Sequence, residues 1–174
     1  MIGYEMEFRG IQEQIRRLEH YDENAHKCLW YAMSQSVTLI ESETRRPPPM
    51  GAPVGVSGRL RNSMASNVVG GTGSQILGKV GSTLRGESYP ATMEFGRKPG
   101  RMPPPKALER WVHLVLGVST EDAPGVAFQV ARKIGRRGIK GKRFLRRAYI
   151  RSKRRVIGYF SRALELIARD TAGK

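Results

Sequence analysis

Between Arg132 and Arg155 the chain places thirteen lysines and arginines in twenty-four residues, and no acid occurs from Ala123 to Leu164. Charge of one sign at that density cannot be enclosed in a core, because an unpaired buried ion costs more than a small domain gains on folding. It also repels itself. This segment must therefore present a cationic face over a narrow apolar stripe, and it calls for negative charge nearby. The plain alternative is a solvated helix face. We take Arg132, Lys133, Arg136, Arg137, Lys140, Lys142, Arg143, Arg146 and Arg147 as candidate electrostatic contacts to a partner or to DNA; Arg151, Lys153, Arg154 and Arg155 complete the run.

The remainder does not balance it. The formal net charge is +16, although the first 44 residues hold eight acids against four bases. Such asymmetry fits phosphate binding with counterion release. It fits equally docking on an acidic partner, including the acidic N-terminal segment of an adjacent copy. Phe144 and Tyr149 are the only aromatics inside the run, and both suit apolar positions of a helix. Base stacking is therefore poorly supported, and backbone or surface electrostatics is expected.

A length of 174 residues with 39% hydrophobic content suits one modest core. We read residues 1–23 as an N-terminal helical arm, with six acids from Glu5 to Glu23 and an apolar stripe of Ile11, Ile15 and Leu18, and residues 24–174 as a single domain. Neither a signal-peptide core nor a membrane-length apolar run is present, and the composition suits a reducing cytosol. Cys28 is the single cysteine, so no internal disulfide can form.

From Asn24, a candidate cap, to about Thr44 the residues Ala25, Cys28, Leu29, Ala32, Met33, Val37 and Ile40 recur at helical steps. Pro47, Pro48 and Pro49 must end that helix, and a mobile loop is expected over about 45–57. Three short runs then favour strands: Val68–Val69, Ile76–Thr83 and Tyr89–Phe95, with turns at Gly70–Gly73 and Arg85–Glu87. A second mobile loop is expected over about 96–106. Two helices follow, one bearing Leu108, Trp111, Val112, Val115 and Leu116 and ending at Gly117, the next bearing Val126, Ala127, Val130, Ala131 and Ile134 and ending at Gly138. Ala148, Tyr149, Val156, Ile157, Phe160, Ala163, Leu164 and Ile167 mark a long C-terminal helix. The fold class expected is α+β: a small antiparallel sheet of about three to four strands, packed against long N-terminal and C-terminal helices, with extended loops.

Chemistry is not signalled. The chain lacks G-x-S-x-G, C-x-x-C and H-E-x-x-H, and its glycine runs match neither a dinucleotide fingerprint nor a P-loop. His20 and His26, six residues apart, do not share a helix face, and His20, His26 and His113 read as exposed or core-edge residues and not as a ligand set. Glu94 reads as one half of a structural salt bridge. No catalytic residue, metal ligand or cofactor is expected.

Three stretches, spread over roughly residues 25–165, resemble the neck and minor-tail-component family of long-tailed bacteriophages. Ser57-Gly58-Arg59-Leu60-Arg61-Asn62-Ser63 is similar to the family's T/S-G-x-L-x-x-S; Tyr89-Pro90-Ala91-Thr92-Met93-Glu94-Phe95-Gly96 is similar to Y-A-x-x-V-E-F-G; Gly138-Ile139-Lys140-Gly141-Lys142-Arg143-Phe144-Leu145-Arg146-Arg147-Ala148 is similar to G-I/T-K-x-x-x-F-L-R-P-A. The chain departs at Pro90, where alanine is usual, at Arg147, where proline is usual, and in the Trp111 helix. Architecturally, Gly58 and Gly96 would permit tight backbone, Leu60 and Phe95 would enter the core, and Phe144 with Leu145 would pin the last helix to the sheet.

The resemblance implies a structural virion protein, not an enzyme: a homo-oligomeric six-fold or twelve-fold ring in the neck, assembled in the host cytoplasm, joining the head to the tail. Its partners would be portal-side or adaptor connector proteins and tail terminator or tail tube proteins, with non-specific contact to packaged DNA and none to membrane. Arg97, Lys98, Arg101 and Met102 would belong to a loop that bridges subunits, while Tyr89 and Glu94 would be structural residues of the motif before it. The alternatives are a tail terminator or tail completion protein, and a basic nucleic-acid-binding protein.

Overall fold

A computed structural model describes residues 2–5, 23–48, 51–53, 58–70, 75–84 and 88–172. The elements are β1 (Ile2–Glu5), α1 (Glu23–Thr44), α2 (Arg59–Asn62), β2 (Met64–Gly70), β3 (Ile76–Ser82), α3 (Tyr89–Phe95), β4 (Gly96–Arg97), α4 (Lys106–Leu116), α5 (Ala123–Arg137), β5 (Ile139–Lys140) and α6 (Phe144–Ala172). The fold is α+β, with a three-stranded antiparallel sheet in the order β1-β3-β2 and a separate two-stranded ladder of β4 and β5. The helix expected over residues 5–23 lies outside the described residues except at its edges. There, Ile2–Glu5 is a strand, pairing from Ile2↔Ser82 to Glu5↔Lys79, and Glu23 opens α1, which puts Asn24 in the first turn and not at the cap.

The core is the seam between α1 and α6, closed on one side by the sheet. From α1 come Ala25, Leu29, Ala32, Met33, Val37 and Ile40, and from α6 come Phe144, Ala148, Val156, Phe160, Ala163 and Ile167, all buried. The buried positions recur at helical steps, so each helix turns one largely apolar face inward, interrupted by the buried Ser36 on α1 and Ser152 on α6. Fully burying a large aliphatic or aromatic side chain contributes roughly 1.5–3 kcal/mol, which makes this seam the main source of stability. Its rim carries a cross-link: Glu43, nearly buried, accepts from Arg151 Nε at 3.1 Å and from Arg46 at 2.9 Å.

The sheet meets α1 at Gly78. A Cβ there would stand 2.5 Å from Val37 Cγ1 and 2.6 Å from Met33 Sδ, so glycine lets the helix lie directly on the strand. At the far end, Ser63 Oγ meets Ser82 Oγ at 2.8 Å, and the Thr83 N–H donates to Ser63 O. This ties the turn containing Gly58 and the buried Leu60 to β3. The loop after α1 is not wholly exposed, because the Ala52 N–H returns to Thr44 O at 2.6 Å and Ala52 is buried.

One strand expectation is overturned. Tyr89–Phe95 is helical, because Pro90 in the first turn needs no donor and already holds a helical φ. The apolar run was short enough to suit either period, and Gly96, at φ 89°, ends the helix. Ile157, grouped with the apolar face of the last helix, is exposed instead. The helices α4 and α5 form where expected, with Gly117 left-handed at φ 69° and Gly138 capping α5. They bury Val112, Ala123 and Ala127 between them, in a cluster separate from the main core.

Two stability predictions follow from the packing. Gly78→Ala should cost about 1–3 kcal/mol by overpacking, and combining it with Val37→Ala should cost less than the sum of the two single changes; urea unfolding of the four variants measures this. Ser152, buried in the α6 stripe, has a hydroxyl without a hydrogen-bond partner among the described residues. Ser152→Ala should therefore raise stability, by up to about 1 kcal/mol, in the same assay.

Candidate functional site

The basic end of the molecule is organised by two stretches of backbone that pass unusually close. Gly96 pairs with Lys140 and Arg97 with Ile139. A Cβ on Gly96 would lie 2.5 Å from Ile139 O, one on Gly138 2.1 Å from Arg97 O, and one on Gly141 2.5 Å from the Phe95 carbonyl carbon. At each of these contacts a side chain would collide with backbone, which cannot swing aside. The pairing continues as Lys142 donates its N–H to Met93 O at 2.7 Å and Arg143 donates to Glu94 O at 3.0 Å. Arg143 itself is left-handed at φ 49°, a conformation costing a non-glycine residue roughly 1 kcal/mol or more. That turn reverses the chain into α6.

Glu94 fixes the start of α6. Its side chain is 1% exposed; Oε2 accepts the Leu145 N–H at 2.9 Å and Oε1 the Arg146 N–H at 3.2 Å. The first N–H groups of a helix have no partner within it, and a carboxylate there also meets the positive end of the helix dipole. The geometry gives Glu94 a capping role that sequence reasoning did not assign it, from 51 residues away. No local capping signature could have revealed it, since the cap comes from another element.

Around this knot the cations converge. Arg97, Lys98, Lys140 and Arg143 line a cleft of about 490 Å³ with Phe95, Gly96, Ile139 and Gly141. Two groups that the sequence kept apart, the expected bridging loop and the basic run, thus share one site. Phe95, expected in the core, is 64% exposed, because Glu94 takes the inward position of α3 and its neighbour must then face outward. Phe144 and Leu145 are buried as expected, and Tyr89 is partly exposed.

The loop from Gly96 lies against α5. Gly100 donates its N–H to Gly135 O at 2.8 Å, the Arg97 guanidinium donates to Arg101 O, and Met102 lies against Gly135 of α5. All thirteen cations of the basic run are exposed. Arg132, Lys133, Arg136 and Arg137 lie along α5, Lys142 follows β5, and Arg146 and Arg147 stand on the first turn of α6, so they do not form one cluster with the cleft. Among the described residues no group of three or more His, Cys, Asp or Glu could hold a metal ion, and no helix is long and apolar enough to cross a membrane. His26 lies beside Trp30 with ring centroids 6.0 Å apart, and His113 Nδ1 is 2.7 Å from Val118 O.

Removing the cap has a defined cost. Glu94→Ala leaves two N–H groups without their acceptor, at roughly 1–3 kcal/mol for each that stays buried, while Glu94→Gln keeps an acceptor and should lose less. Thermal unfolding of the two variants should rank them in that order, and hydrogen exchange should show the loss of protection concentrated at Leu145 and Arg146.

Comparison of the chain with protein-family models, with characterised proteins and with solved structures finds no match.

Proposed function

We propose that copies of this chain assemble into a ring in the neck of a long-tailed bacteriophage particle, where they join the DNA-filled head to the tail as structural, non-enzymatic components. One observation carries this reading. Two of the stretches that resemble the neck family, Tyr89–Gly96 and Gly138–Ala148, are interlocked as a single unit: the ladder between Gly96 and Lys140, and the cap from Glu94 to Leu145 and Arg146. Residues that resemble a family motif are thus residues whose chemical type the local geometry requires. Their role is to hold α6 at a set angle, which suits a building block.

The charge supports an assembly as well. A chain carrying +16 repels its own copies, so a ring of it needs acidic surfaces on adjoining connector or tail proteins, or DNA in the channel, to offset that repulsion. The bases along α5 and on the first turn of α6 are the surface offered to them. Ring contacts would be head-to-tail, because a heterologous interface repeated by a closing rotation generates a cyclic ring.

Deleting the gene from a phage that encodes it tests the assignment. Full heads and finished tails accumulating separately, with complementation restoring joined particles that carry this chain at the junction, is the expected result. Tails of uncontrolled length would assign the chain to tail termination instead, and intact infectious particles would remove it from the joint altogether.

A further inference from the structure

Phe95 closes α3 and stands at the cleft where the two backbones meet. A phenylalanine 64% exposed is costly to leave in water, and this one borders a cleft whose other side chains are Arg97, Lys98, Lys140, Arg143 and Ile139. Among the described residues no carboxylate lines the cleft. Glu94, beside Phe95 in sequence, is buried with its carboxylate on the α6 N–H groups, away from the lining of the cleft. The floor is stiff, because Gly96 and Gly141 admit no side chain between the two backbones.

We propose that this cleft binds single-stranded nucleic acid without regard to sequence, with a base stacked on Phe95 and the adjoining phosphodiester oxygens held by Arg97, Lys98, Lys140 and Arg143. An aromatic face set among cations matches a nucleotide, which carries a flat apolar surface and a negative charge a few bonds apart. The Arg97 guanidinium has donors to spare beyond the one that Arg101 O accepts. An acidic protein fits less well. Protein interfaces seat their aromatic anchors in a dry centre, keep charge at the rim and disfavour lysine, whereas burying Phe95 under a protein would desolvate four cations with it. A duplex fits less well again, since its bases are stacked inside and Phe95 could reach one only by wedging them apart. The inference stands apart from the neck assignment and survives or fails without it.

The test uses the full chain and a fluorescein-labelled oligo(dT), followed by anisotropy. Phe95→Ala should weaken binding about tenfold, the scale of one stacked base, with an unchanged melting temperature because the side chain is exposed. Phe95→Trp should keep the affinity and show tryptophan quenching on binding beyond that of the native Trp30 and Trp111. Lys140→Gln should flatten the log–log salt dependence by about 0.7, as one phosphate contact fewer requires on a single strand. Affinity unchanged in Phe95→Ala would overturn the proposal, as would a DNA duplex of equal length binding as tightly as oligo(dT), or polyglutamate displacing the probe as well as unlabelled oligo(dT) does. Ring formation by the same variants, followed by native mass spectrometry, keeps failure here distinguishable from failure of the neck assignment.

Discussion

The Glu94 carboxylate, buried and bonded to the first N–H groups of α6, is the contact on which the arrangement of the basic end depends. A helix with a buried start must have its orphan donors satisfied, and here the acceptor comes from a different helix. That bond fixes where α6 begins and in which direction it leaves. The stripe from Phe144 to Ile167 can lie along α1 only if that direction is right. The main seam and the cationic surface are therefore set by the same few atoms.

Glycine makes the contact possible. Gly96, Gly138 and Gly141 bring two backbones so close that a methyl group at any of them would overlap a carbonyl or amide. The resulting ladder is only two residues long on each side. Its short length is offset by the bonds that continue it, from Lys142 to Met93 and from Arg143 to Glu94. The left-handed Arg143 then reverses the chain immediately before the helix. A knot of this kind is held by shape and backbone bonding and leaves its cations pointing into water.

The charge distribution divides by element. Where acids and bases meet they hold elements together: Glu43 with Arg46 and Arg151 at the edge of the α1–α6 seam, and Glu41 with Arg45 where α1 meets Met64 and Ser66 of β2. Apart from Arg151, the bases from Arg132 to Arg155 stand outward on α5, β5, the turn at Lys142 and Arg143, and the first half of α6. The α4–α5 hairpin has its own small core and is joined to the rest through backbone contacts such as Gly100 to Gly135. Its apolar Leu114, Val115, Leu116 and Phe128 remain exposed.

The long helices were legible because their apolar residues repeat with one period over many turns, and their ends were legible because proline and glycine stop them for steric reasons. The cationic character of the surface was fixed by the sequence too, since that many bases without a nearby acid cannot go inside. Tyr89–Phe95 was misread because seven residues do not separate a period of two from one of 3.6, and Pro90 was the local clue to a helix. What only the tertiary structure decided is which distant groups meet: Glu94 with the start of α6, and Arg97 and Lys98 with Lys140 and Arg143. Those pairings depend on how two backbones approach across the knot, and the spacing of residues along a chain carries no record of that distance.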